Sequence, residues 1–294
     1  MPRKKPRIAI VGGGKVGTAL ATELHRAGYR IDEVICRDSP ASLRRAWELA
    51  RALDARARTA AKASLNADVV WFCVPDHEIK SVAQLLAGRS WRGKVAFHAS
   101  GALASDELRV LRRRGAAVAS VHPLMTFVRG SRPSLAGVPF GIEGDARAVR
   151  MARRLGRDAG WEILHVPKYA KVAYHAWGTF ASPLLLATLT TAEGVAKHAG
   201  ISAAKARTMV LPIAVQTLAN YAALGAAGSF SGPIVRGDAA IVRKHLRALR
   251  KIPEAREVYV SLGRAALRYL PARNRQQLIK VLRDSANSRR RGRW

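Results

Sequence analysis

At 294 residues and 49% hydrophobic composition, the chain is long enough for two domains or one large one and rich enough in core material to exclude a wholly disordered protein. Its 51 Lys+Arg against 20 Asp+Glu give a formal charge of +31, which favours solubility and attraction to anions without choosing among them. Cys36 and Cys73 read as small core residues of a reducing compartment, no Cys/His group has metal-ligand spacing, and no apolar segment precedes the first strand as a secretory signal would.

Part of the charge excess sits at the ends, in Arg3, Lys4, Lys5 and Arg7 and again in Arg289, Arg290, Arg291 and Arg293, but the body is basic as well. Neither zinc-finger spacing nor an aromatic RNA-binding signature accompanies it, so it reads as a solvated surface, with a nucleic-acid face as the alternative.

Arg7 to Val11 is a short apolar run that predicts a strand. Gly12, Gly14 and Gly17 follow at the spacing G-x-G-x-x-G, and Val16, Ala19, Leu20 and Leu24 continue at helical spacing. This is the sequence of a dinucleotide-binding turn: Gly12 for the bend, Gly14 for close approach of the pyrophosphate, Gly17 for helix packing, and Lys15 and Val16 at the helix start. Helix N–H groups and the helix dipole then favour the anion.

Ile31 to Cys36 predicts the second strand. Cys36 stands near the place where an acidic residue would hold the ribose of NAD, and Arg37 and Ser39 follow, which suits the extra phosphate of NADP. The stretch from Ser39 to Ala63 reads as helix, with Pro40 in its first turn. Asp68 to Pro75 is a continuous apolar run of the kind that a parallel sheet buries on both faces, and it places its Val74-Pro75-Asp76 end at the carboxyl edge, beside the cofactor. Strands over Lys94 to Ala99 and Ala116 to Val121 end in His98-Ala99-Ser100-Gly101 and His122-Pro123, so two strands deliver His or Ser to one edge. Pro123 biases His122 toward an extended conformation. A strand over Val138 to Glu143, a helix over Arg147 to Ala159 and a strand over Trp161 to Val166 extend the sheet, and Pro167 closes this half.

Beyond Lys168 the pattern is all helical. One helix is expected from Tyr169 to His198, kinked at Pro183, and Lys171 and His175 share one of its faces. A cation and a titratable donor on one face suit carbonyl or imine reduction, in which charge left by hydride delivery must be protonated or stabilised. Ser202 and Asp238 read as N-caps. Arg236, in a Gly-punctuated loop, is a candidate clamp for a substrate carboxylate or phosphate. Helices over Glu254 to Leu270 and Arg273 to Asp284 follow, and the arginine tail is expected to be disordered. Two uncharged runs, Val172 to Ala192 and Thr208 to Val235, are long enough to raise a membrane question, but their Ala, Thr, Ser, Gly, Gln216 and Asn220 content predicts buried helices of a soluble domain.

The series VGGGKVG, ADVVWFCVPD, FHASGAL, SVHPLMTF, KVAYHAW and GPIVRGD resembles a bacterial family in which an NADP-binding Rossmann domain precedes a helical domain of unknown function (the 2520 type). That family lies in the 6-phosphogluconate dehydrogenase-like superfamily, near the deazaflavin-dependent NADP reductases. The resemblance implies an α/β fold with a mostly parallel Rossmann-type sheet over 1–167, a second all-α substrate or dimerisation domain over 168–286 and a basic tail over 287–294. It implies NADP held by Gly12, Gly14, Gly17 and Arg37, with Val74 and Pro75 lining the site, and a cleft formed by Ser100, His122, Lys171, His175 and Arg236. Ser182 stands at a substrate position. Related hydroxyacid dehydrogenases have Asn where His175 stands, and the family has Ser-Asn in place of Ser182-Pro183. The expectation is a cytoplasmic NADP-dependent oxidoreductase acting on a small anionic carbonyl, imine or hydroxyacid, paired as a homodimer. A non-catalytic NADP-binding regulator is the alternative.

Overall fold

The computed structural model describes residues 4–128, 130–131 and 133–287. The arginine tail lies outside them. Eight strands form one sheet, β1 (Ile8–Val11), β2 (Ile31–Cys36), β3 (Arg56–Thr59), β4 (Val69–Phe72), β5 (Val95–His98), β6 (Ala117–Pro123), β7 (Pro139–Gly144) and β8 (Glu162–His165). Their spatial order is β3-β2-β1-β4-β5-β6-β7-β8. All neighbours are parallel except β6 and β7, which run antiparallel with His122 opposite Gly141. The chain turns from β1 toward β2 on one side and toward β4 on the other, so the end of β1 is a topological switch point, where ligands of open α/β sheets bind.

The alternating strand residues supply two cores. Ile8 and Ile10 share one with Leu20 and Leu24 of α1 (Lys15–Arg26), Leu49 of α2 (Pro40–Ala52) and, further along the same face, Leu155 of α5 (Ala146–Ala159). Ala9 and Val11 share the other with Ile79, Ala83 and Leu86 of α3 (Asp76–Leu86) and Leu111 of α4 (Arg109–Arg113). A sheet covered on both faces explains the nearly uninterrupted apolar strands.

Two of the expected elements need correction here. Arg56–Thr59, read as helix, is the edge strand β3, paired only with β2. The helix expected over Tyr169 to His198 is two, α6 (Lys171–Ala181) and α7 (Pro183–His198), separated by Ser182 at φ −127° and ψ −79°. By its packing the chain divides into two compact units at that break, between Ser182 and Pro183. The reason is burial: Lys171 and Tyr174 of α6 are packed within the sheet-bearing unit.

The second unit holds α7, α8 (Ala203–Ser229), α9 (Pro233–Arg236), α10 (Ala239–Ala248), α11 (Pro253–Tyr269) and α12 (Arg275–Asn287). Ser202 and Asp238 cap α8 and α10 through the N–H groups of Lys205 and Ile241. Val242, Leu246, Val260, Leu267, Leu278 and Leu282 form its core. The apolar runs are not buried as expected. Among described residues, α7 buries none and α8 only Ala206, and Leu211, Ile213, Val215, Leu218 and Tyr221 stand exposed. One helical stretch here is long and apolar enough to cross a membrane, although Pro212 and a helix break at Gly225 interrupt it.

Candidate active site

The turn after β1 can be built only with glycine at two places. Gly12 has φ +104°, and a Cβ there would stand 2.6 Å from the Cys73 carbonyl oxygen. A Cβ on Gly17 would stand 2.0 Å from the carbonyl oxygen of Gly12. At Gly14 an added Cβ would meet nothing within 4 Å, so this side of the turn is open. α1 begins there with no side-chain cap and no acidic residue in its first turn among the described residues. A pyrophosphate fits such a turn, because unpaired helix N–H groups and the positive end of the dipole face the open side. Val74 lies beside Gly12, and Pro75 is the N-cap of α3. At the end of β2, exposed Arg37 donates from Nη1 to Glu78 Oε1 at 2.9 Å, and Ser39 begins α2 without a cap bond.

The ends of β4, β5 and β6 meet α6 at the same edge. Ser100 Oγ donates to Asp76 Oδ2 at 2.7 Å and accepts from the Leu103 N–H at 3.0 Å. Its proton is therefore committed to Asp76, and the hydroxyl can offer a ligand only a lone pair. The Ser100 N–H donates to His98 Nδ1 at 3.2 Å, which leaves Nε2 of His98 to donate to the Ala104 carbonyl at 3.0 Å. Burial, with Lys171 adding to it, pushes the His98 imidazole down to about 4, so this ring is a neutral structural strut.

Lys171 is only 1% exposed. Its Nζ donates to Ser120 Oγ at 2.7 Å and to the Ser100 carbonyl at 3.1 Å. Burial pushes the ammonium down to about 8, against the opposing pull of Glu143 and Asp76. Glu143 is itself buried, accepting from the Ser105 N–H at 2.5 Å and Oγ at 2.9 Å. Lys171 thus lies beneath the edge and acts on it through Ser100 and Ser120.

His122 and His175 form the part of the cluster nearer solvent, with rings edge to face at 5.8 Å. Burial first, then Lys171, His175 and His98, push His122 down to about 3. Tyr174, on the same helix face as Lys171, places its hydroxyl 3.1 Å from His122 Nδ1. Two glycines make room for these rings. A Cβ on Gly101 would stand 2.5 Å from His175 Cδ2 and 2.8 Å from His122 Nε2, and one on Gly141 would stand 2.6 Å from the Tyr174 phenol.

Of the expected cleft residues, Ser100, His122, Lys171 and His175 come together in the sheet-bearing unit. Ser182 ends α6, its N–H bonded to the Gly178 carbonyl, and Arg236 ends α9 in the helical unit, in a single helical turn where a loop was expected. Sequence reasoning placed Asp76 at this edge without a role and overlooked Tyr174, Gly101 and Gly141 as parts of the site. Tyr174 could have been found from its i+3 spacing to Lys171.

These features define a class: a Rossmann-like domain followed by a helical domain. A Rossmann-like domain matches residues 2–123, and the domain of unknown function DUF2520 matches residues 138–266. The two matches lie in tandem along the chain. No curated protein matches the sequence. Among solved structures, a candidate NADP oxidoreductase from Bacteroides fragilis, BF3122, is 20% identical with a TM-score of 0.74, covering 89% of this chain and 97% of its own. Protein TM1727 from Thermotoga maritima is 23% identical with a TM-score of 0.69, over 96% and 99% of the two chains. An imine reductase from Myxococcus stipitatus, solved with NADP+, is 16% identical with a TM-score of 0.65, over 90% and 94%. At these identities the likeness is one of fold.

Proposed function

We propose that this chain is an NADP(H)-dependent oxidoreductase that exchanges a hydride with a small carbonyl, imine or hydroxyacid compound at the edge formed by β5, β6 and α6. The observation that carries the reading is the open, uncapped turn of Gly12, Gly14 and Gly17 at the switch point, in the same unit as a cluster of titratable groups at neighbouring strand ends. The imine reductase and reductive aminase folds, which were solved with NADP+ or NADPH, support the cofactor assignment and make imines the first substrates to test.

A dinucleotide would be held by the glycine turn and by Arg37, and when bound it would supply the hydride donor or acceptor. Nη1 of Arg37 is bonded to Glu78, which competes for the same guanidinium. His122 acts as a neutral hydrogen-bonding group, because burial and its cationic neighbours oppose protonation. His175 is the titratable neighbour on the open side and serves as proton carrier. Lys171 holds Ser100 and Ser120 and contributes positive potential toward charge developing at the edge. We assign the exposed apolar faces of α7 and α8 to pairing with a second copy of the chain.

The test is calorimetric titration with NADPH and NADH for the wild type and Arg37→Ala, followed by NADPH consumption with a panel of imines, ketoacids and hydroxyacids. Selective NADPH binding that weakens in the variant, together with turnover, is expected. Tight binding without turnover on any substrate would make the chain a nucleotide-binding regulator. A folded protein that binds neither dinucleotide would overturn the reading.

A further inference from the structure

We infer that the cavity between α10 and α12 is a binding site for a compact polyphosphate, an anion carrying two or more linked phosphate groups. The site lies wholly within the helical unit and does not rest on the oxidoreductase reading.

Helical spacing creates it. Arg243 and Arg247 stand one turn apart on α10, and Arg250 follows in the short turn Leu249–Lys251, so three guanidinium groups share one face. On α12, Gln277, Lys280 and Asp284 recur at intervals of three and four residues and share another. Val242 and Leu246 of α10 pack with Leu278 and Leu282 of α12, which holds the two helices together. Beside that core the two polar faces line a cavity of about 440 Å³, within the size range of small-molecule sites. Arg256, from the first turn of α11, reaches the same cavity although it is only 9% exposed.

Charge then selects the ligand. The lining holds five cations against one acid, Asp284. Among the described residues, no carboxylate pairs with Arg243, Arg247, Arg250 or Lys280, whereas Arg26, Arg37, Arg112 and Arg207 elsewhere on the surface each have an acidic partner. Like charges gathered in a concave surface reinforce one another's potential, and a guanidinium group matches phosphate oxygens two at a time. A linked phosphate chain can engage several of these cations at once, which a single phosphate cannot. None of the described lining residues is aromatic, so nothing there stacks on a nucleobase and recognition falls on the phosphates. The general positive charge of the chain would attract anions to many places alike; a built cavity takes one.

The experiment is calorimetric titration of the full chain with inorganic triphosphate in about 150 mM KCl, where diffuse attraction is screened beyond about 8 Å. One bound triphosphate per chain is expected. Arg247→Gln combined with Lys280→Gln should weaken binding at least about tenfold. Lys244→Gln combined with Arg264→Gln removes the same charge from positions outside the cavity and should change it by less than about twofold. All four side chains are exposed, so both double variants keep the helical core, which circular dichroism checks. A nucleoside triphosphate should bind within about threefold of the inorganic one. No binding of triphosphate at this salt, or a cavity variant weakened no more than the control, would overturn the assignment. A nucleoside triphosphate more than about tenfold tighter would overturn recognition by phosphate alone. Duplex DNA whose binding is lost in the cavity variant, and which triphosphate does not displace, would make this face a nucleic-acid surface instead.

Discussion

The two units treat their apolar residues differently. In the sheet-bearing unit, Ile8 and Ile10 face one layer of helices and Ala9 and Val11 face the other, so burial is completed by the chain's own elements. In the helical unit, α10, α11 and α12 enclose a small core, while Leu211, Ile213, Leu218 and Leu224 of α8 remain exposed. Both sets of residues look alike in composition. The difference is whether a neighbouring element exists to cover them, and a hydrophobic run by itself carries no information about that.

The largest expected effect breaks the better-packed side. Gly17→Val places a side chain where even a Cβ stands 2.0 Å from the Gly12 carbonyl, so it should destabilise the sheet-bearing unit by more than about 3 kcal/mol and abolish NADPH binding. Thermal melting and calorimetry check both outcomes.

Acid should act on the same unit. His98 and His122 have folded-state pKa values of about 4 and about 3, below their ordinary 6.5, so the unfolded chain binds more protons between those limits. Stability is therefore intact above about pH 6.5 and falls as the pH drops toward 4 and then 3. His98 alone accounts for about 3 kcal/mol by linkage. Urea titrations at pH 7 and pH 4.5 measure the loss, and His98→Asn should reduce it.

The exposed side is tested by charge. Ile213→Lys combined with Leu218→Lys should halve the mass seen by light scattering, yet change unfolding free energy of the separated chain by less than about 0.5 kcal/mol, because neither residue is buried within it. An unchanged mass would remove α8 from the pairing surface, and release of the wild type only in detergent would favour a membrane instead.

The smallest effect concerns Arg37. Glu78→Gln frees the guanidinium from a surface ion pair worth about 0–1 kcal/mol, so NADPH should bind up to about fivefold more tightly while NADH is unaffected. Parallel titrations with the two nucleotides read this directly.

Much of the fold was legible where its signals are local. The glycine spacing, the apolar strands and the capping by Ser202 and Asp238 each lie within a few residues of the structure they form. β3 was not legible: Arg56-Ala57-Arg58-Thr59 pairs on one side only and carries no apolar run, so nothing distinguished it from the helix before it. The position of Lys171 was not legible either. Helical spacing gave its face but not what that face meets, and lysine is expected in solvent rather than 1% exposed beneath two serines. The pairing of Tyr174 with His122 spans 52 residues and depends on the antiparallel turn of β7, which brings Gly141 opposite His122.

Gly101 and Gly141 also bear on how the site can be re-engineered. Because each glycine is the mould for a ring borne on another element, the rings at 122, 174 and 175 and the residues at 101 and 141 form one mutational unit. A library that varies the rings alone would sample mostly voids, and one that varies the glycines alone mostly collisions. Variants in which an alanine at 141 accompanies a smaller side chain at 174 should survive where either change fails alone, so searches for altered specificity gain most from randomising the strands and the helix together.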